Sequence, residues 1–244
     1  MKTRWTLLAV GLLALAAHAQ PTAYSDDVIP QARTLTFAQL DRAEAMARYG
    51  HPNEMWRYRA LRALKLEQGT RALDYFRFAA KYGDKFSQHA LSLMYWHGVG
   101  TAADRAQAYA WSDLAAERGY RDLLLVREKM WMELDAAARA KALLLGEGIY
   151  AEYGDAVAKP RQAKAMRRAL ASATGSRLGF AKDRLQFLEG YGEDISPRDF
   201  YAEKRWDERT YWREQDRQWK AKVIVLPLEQ LPERSPTPTE ETTP

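Results

Sequence analysis

Ala108-Tyr109-Ala110-Trp111-Ser112-Asp113-Leu114-Ala115-Ala116-Glu117-Arg118-Gly119 restates, 36 residues later, the pattern of Ala72-Leu73-Asp74-Tyr75-Phe76-Arg77-Phe78-Ala79-Ala80-Lys81-Tyr82-Gly83. In both copies a small residue, a large aromatic and an Ala-Ala pair fall at i, i+3, i+7 and i+8, which share one face of a helix. Short side chains at Ala79-Ala80 and Ala115-Ala116 let two helix axes approach closely. A ring from the neighbouring helix then fills the space left. Gly83 and Gly119 suit the left-handed residue just past a helix end.

The same ending recurs around this pair. Arg48-Tyr49-Gly50 stands 33 residues before Lys81-Tyr82-Gly83, and Glu152-Tyr153-Gly154 places its glycine 35 residues after Gly119. A period of 33–36 residues is one helix–turn–helix unit, whose apolar face needs a neighbour to cover it. Leu91-Ser92-Leu93-Met94-Tyr95-Trp96 reads as the first helix of the unit, ended by His97-Gly98-Val99-Gly100, where Gly98 and Gly100 permit positive φ. Asp104 stands ready to cap the second helix. Trp111 and Tyr75 are expected in the core.

Leu91 to Gly100, then Asp104, Ala108, Trp111, Ala115-Ala116 and Gly119, resemble a Sel1-like repeat, a relative of the tetratricopeptide repeats. Ser92 stands where that family has Gly. The match is good over residues 84–119 and partial over 37–83, where Glu67-Gln68-Gly69-Thr70 makes a shortened turn. It is weak over 120–154, where Gly146 and Gly148 fall inside the expected helix and cost ~1 kcal/mol each relative to Ala. That third unit is expected to bend or to act as a cap. The resemblance implies an all-α, short right-handed α-solenoid of stacked helix–turn–helix repeats. It also implies adaptor work in multi-protein complexes, periplasmic ones included.

Before the repeats, Lys2 and Arg4 precede an apolar run from Trp5 to Ala17, and Ala17 and Ala19 are small residues placed for cleavage before Gln20. Residues 1–19 therefore read as a secretory signal, and the run is shorter than the ~20 residues of a spanning helix. The expected location is periplasmic or secreted, with no transmembrane span. Residues 20–36 are expected to be extended. Loss of Lys2 and Arg4 brings the net charge from +5 to +3, which gives no argument for nucleic acid. The chain has no cysteine, so thiol catalysis, cysteine-based zinc sites and disulfide cross-links are excluded.

After the repeats, residues 155–192 form a basic helical extension. Pro160 is expected to open its first helix and Gly175 to close it. Arg161, Lys164 and Arg168 are spaced to share a side, a candidate contact for an anionic envelope component. Residues 193–230 interleave Phe200, Tyr201, Trp206, Tyr211, Trp212 and Trp219 with charges. These rings are expected to dock the segment on the repeats. Val223-Ile224-Val225-Leu226 is β-like, and residues 231–244, with Pro232, Pro236, Pro238 and Pro244, read as a disordered tail.

The usual spacings for zinc hydrolysis, thiol redox, serine hydrolysis and phosphate cradling are absent. No catalytic residue, metal or cofactor is expected. The functional expectation is an exported, non-catalytic interaction scaffold of the bacterial cell envelope that holds another protein or peptide, with Tyr95, Trp96 and Tyr109 as candidate contacts. The alternative is a glycan- or anionic-ligand-binding protein, or an enzyme, using the basic segment and the C-terminal tryptophans.

Overall fold

The computed structural model describes residues 28–174 and 202–221. Within them the chain is helical, with no strand among the described residues. In chain order the helices are α1 (Pro30–Thr34), α2 (Phe37–Ala47), α3 (Pro52–Lys65), α4 (Gly69–Ala80), α5 (Lys85–His97) and α6 (Arg105–Ala115). A 3-10 turn (Ala116–Arg118) leads to α7 (Arg121–Glu133), α8 (Ala136–Tyr153) and α9 (Asp155–Thr174), and then come α10 (Glu203–Trp206) and α11 (Glu208–Ala221). The expected signal (residues 1–19), Gly175 and the rest of the basic extension to residue 192, Phe200, Tyr201, the β-like run and the tail lie outside the described residues.

Local chemistry sets the helix starts. Thr36 and Gln39 exchange hydrogen bonds at the head of α2, a reciprocal cap. Asp84, Asp104 and Asp135 each accept a backbone N–H at the heads of α5, α6 and α8. The ends are equally local: Gly50, Gly83, Gly98, Gly100 and Gly119 all have φ between 70 and 84°. Gly154 departs from that rule. Its φ is −62° and ψ 155°, so the third repeat ending turns through extended backbone instead. The chain then re-enters a helix at Asp155. Pro160 accordingly lies inside α9, not at its opening. Likewise the N-terminal stretch expected to be extended contains α1, and Pro30 opens it.

Helices adjacent in sequence pack together from α2 through α7. The paired alanines behave as expected: Ala79, Ala80 and Ala115 are fully buried and Ala116 is 3% exposed. Phe76 meets Phe86 across the α4–α5 seam at 6.2 Å, and Trp111 meets Tyr153 edge-on at 4.8 Å. Trp111 is buried and Tyr75 half-buried. One apolar core therefore runs from Ile29 and Ala32 through α3–α6 to Ile149 and Tyr153. The third pair is irregular. α8 packs on α6 more than on its own partner α7, and it continues uninterrupted through Gly146 and Gly148.

The C-terminal helices strap the edge where one repeat ends and the next begins. An added Cβ on Gly50 would lie 2.7 Å from the Trp206 ring and 3.1 Å from Ala169. On Gly83 it would lie 3.3 Å from the Trp212 ring and 3.5 Å from Ala158. Trp219 stacks on Tyr120, next to Gly119, at 5.4 Å and 7°. Successive tryptophans thus meet successive repeat edges, with α9 running one way along them and α10–α11 the other. Docking of the C-terminal rings on the repeats is what the sequence led us to expect.

Candidate partner-binding groove

Under the strap lies a cavity of about 270 Å³, lined by residues from α1, α2, α3, α5 and α11. Leu35, Tyr58, Leu61, Phe86 and Trp219 give it an apolar floor and walls, while Gln31, Gln39, Gln215 and Gln218 supply amides around them. The volume suits one or two large side chains of a longer ligand. A glutamine amide both donates and accepts, so although Gln39 Oε1 already caps α2 and Gln215 Nε2 already donates to Glu54, the other end of each amide can still meet a peptide backbone.

Arg57 fixes the base of the groove. Its Nη1 donates to Asp84 Oδ1 at 2.7 Å, and its guanidinium lies 5.1 Å from the Tyr58 ring centre and 5.9 Å from that of Phe86. Burial opposes this charge, but Asp84 beside it holds the guanidinium above its usual pKa. Asp84 also accepts from Ser87 N at 3.2 Å, so the carboxylate that caps α5 also orients Arg57.

Behind the groove, α11 is locked to α3 by buried polar contacts. Asn53 Nδ2 donates to Tyr211 Oη at 2.6 Å, and Tyr211 Oη donates to Glu54 Oε1 at 3.0 Å. Gln215 Nε2 donates to the same oxygen at 3.2 Å, and Arg205 lies 3.5 Å from Glu54 Oε2. Burial alone would raise the Glu54 pKa. The cationic form of His51, with Arg205 and Arg57, pulls it below its ordinary value. His51 is packed between Trp206 (5.2 Å) and Tyr211 (5.1 Å), and burial lowers its pKa from 6.5 to about 4. A second tether is the buried amine of Lys85, which donates to Leu114 O at 3.0 Å and Glu117 Oε2 at 2.6 Å and faces Asp155 Oδ1 at 3.3 Å. Burial lowers its pKa.

The residues singled out from sequence fall elsewhere. Tyr95 is a correction: it is buried at 6% exposure, because it continues the core face of α5 and its hydroxyl takes a hydrogen bond from Arg77. Trp96 and Tyr109 do come together, but half-buried in one cluster with Trp131, covered by α7 and α8. Tyr109 packs against Trp131 with ring centres 4.8 Å apart and planes tilted by 45°, and Arg105 lies 4.4 Å over Trp96. Arg161 is likewise corrected, since its guanidinium turns inward to the carbonyls of Lys81 and Glu152. Lys164 and Arg168 are exposed on α9. The groove residues other than Trp219 were missed, because Gln31 to Trp219 span most of the chain and no local pattern marks them as neighbours.

Among the described residues no group of three or more His, Asp or Glu side chains is placed to hold a metal, and no helix is long and apolar enough to cross a membrane. Comparison with protein-family models, curated proteins and solved structures gave no significant match.

Proposed function

We propose that this chain is an exported interaction scaffold of the bacterial cell envelope that holds a segment of another protein in the groove beneath α11. The observation that carries the reading is the cavity itself: an apolar floor of Leu35, Tyr58, Leu61 and Phe86, closed by Trp219 and edged by glutamines. Such a site grips apolar side chains and hydrogen-bonds a backbone, and peptide recognition consists of those two interactions. Export is supported by Lys2, Arg4 and the apolar run before Gln20. The same proposal includes a right-handed stacking of the α3–α4 and α5–α6 pairs, of the Sel1-like kind. The buried alanine pairs support it.

A second reading, an anionic envelope ligand, keeps Lys164, Arg167 and Arg168 as exposed cations on α9. With Arg161 engaged in capping, that surface is smaller than its sequence spacing implied.

Panning a random peptide library against the chain from Gln20 onward tests the main reading. Ala43 lines the groove and is half-buried on α2, so Ala43→Arg fills the cavity without touching the core. Enriched peptides should carry spaced large apolar residues, and Ala43→Arg should weaken their binding at least tenfold. Binding that ignores Ala43→Arg would overturn the groove as the site.

A further inference from the structure

Helix α8 reads Ala136-Ala137-Ala138-Arg139-Ala140-Lys141-Ala142-Leu143-Leu144-Leu145-Gly146-Glu147-Gly148-Ile149-Tyr150-Ala151-Glu152-Tyr153. It is apolar nearly all round, and such a helix is normally covered on every side. One side is covered here, by α6 through Ala142, Ile149 and Tyr153. The other is bare: Leu144 is 72% exposed and Leu143 59%. Ala137, Ala140, Gly148 and Ala151 lie within one side of the helix around Leu144, and all are exposed. An added Cβ on Gly148 would meet nothing within 4 Å, so no close approach inside the chain accounts for a glycine in mid-helix.

We propose that this face binds a second copy of the chain, α8 against α8, with the two helices parallel about a two-fold axis. The charges on the flanks select that occupant and that direction. Lys141 borders Leu144 on one side and Glu147 on the other, each about one turn from it along the helix. In a parallel two-fold pair each flank meets the opposite flank of the partner, so Lys141 of each copy faces Glu147 of the other. An antiparallel pair would set Lys141 beside Lys141 and Glu147 beside Glu147. Lys141 also holds Asp104 at 2.7 Å, but it stays 56% exposed and an ammonium has three donors. Glu152, further along, is held by Lys81 at 2.9 Å. Gly148 and the alanines let the two backbones come close around the central leucines. A face one helix wide and about 27 Å long buries less than the about 800 Å² per partner of a standard interface, the size class of weak or transient pairs.

The test is sedimentation of the chain from Gln20 onward over a concentration series, with Leu144→Asp alongside. The wild type should pass from monomer to dimer as concentration rises. Leu144→Asp should raise the dissociation constant at least tenfold with helicity and thermal midpoint unchanged, because the side chain is exposed in the monomer. Since the chain has no cysteine, single substitutions then read the geometry. Ala137→Cys, Leu144→Cys and Ala151→Cys should each form disulfide-linked dimers under mild oxidation. Cross-linking of the Leu144→Cys variant but of neither Ala137→Cys nor Ala151→Cys would overturn the parallel arrangement. A wild-type chain still monomeric at about 100 µM overturns the proposal as a whole.

Discussion

A methyl group on Gly83 would lie 3.2 Å from Arg118 Nη2 and 3.3 Å from the Trp212 ring, on a backbone at φ +76°. Gly119 shares the backbone, at φ +70°, but has nothing within 4 Å of that position. The two glycines therefore separate conformational strain from packing. Left-handed backbone costs a side-chain-bearing residue about 1–2 kcal/mol, so Gly119→Ala should lose about 1 kcal/mol in urea unfolding. Gly83→Ala should lose about 2 kcal/mol or more, because the strap must also shift. Equal losses would mean that Trp212 does not pack there. The turn requirement at both glycines was legible in the recurring Tyr-Gly and Arg-Gly endings. The close approach at Gly83 was not, since it is made by a ring more than a hundred residues away in sequence. Tyr95 shows the opposite limit: the sequence offers it as a candidate contact, yet its place one turn after Leu91 puts it on the core face of α5.

At the scale of elements, the α3–α11 seam makes stability depend on pH. The folded-state pKa of His51 is depressed, to about 4 from 6.5. The unfolded chain therefore takes up a proton below pH 6.5 that the folded chain refuses, and stability is lost as pH falls from 6.5 towards 4. A depression of that size corresponds to about 3 kcal/mol. Glu54 is also depressed and adds loss of the same sign at lower pH, below its ordinary 4.5. His89, buried and lowered to about 4, acts in the same direction from α5. Urea midpoints should therefore drop steeply between pH 7 and about pH 4.5, and His51→Gln should flatten the drop. A midpoint unchanged over that range would contradict the burial of both histidines. The sequence indicated that Trp212 and Trp219, seven residues apart on one helix face, dock together with rings such as Tyr211, but not which polar groups receive them. Asn53 and Glu54 look like ordinary residues in the first turn of a helix. Their buried role follows only from the return of the chain across the repeat edges.

Across the whole molecule, the N-terminal pairs and the C-terminal helix form one groove, and neither encloses it alone. Leu35, Tyr58, Leu61 and Phe86 need Gln215, Gln218 and Trp219 opposite them. The helical class and the alanine-paired seams were legible because they repeat at a short period. The groove was not, because its walls are brought together by α9, α10 and α11, whose path the repeat pattern does not encode. The account thus stands on α11 being a built-in wall of the array. Hydrogen exchange of the full chain at neutral pH tests this most directly. Residues 208–221 should be protected to nearly the same degree as α3 to α6, and Tyr211→Phe with Trp212→Ala should lower that protection together with that of 50–57. Exchange of 208–221 at the rate of a free peptide, with α3 to α6 still protected, would contradict it.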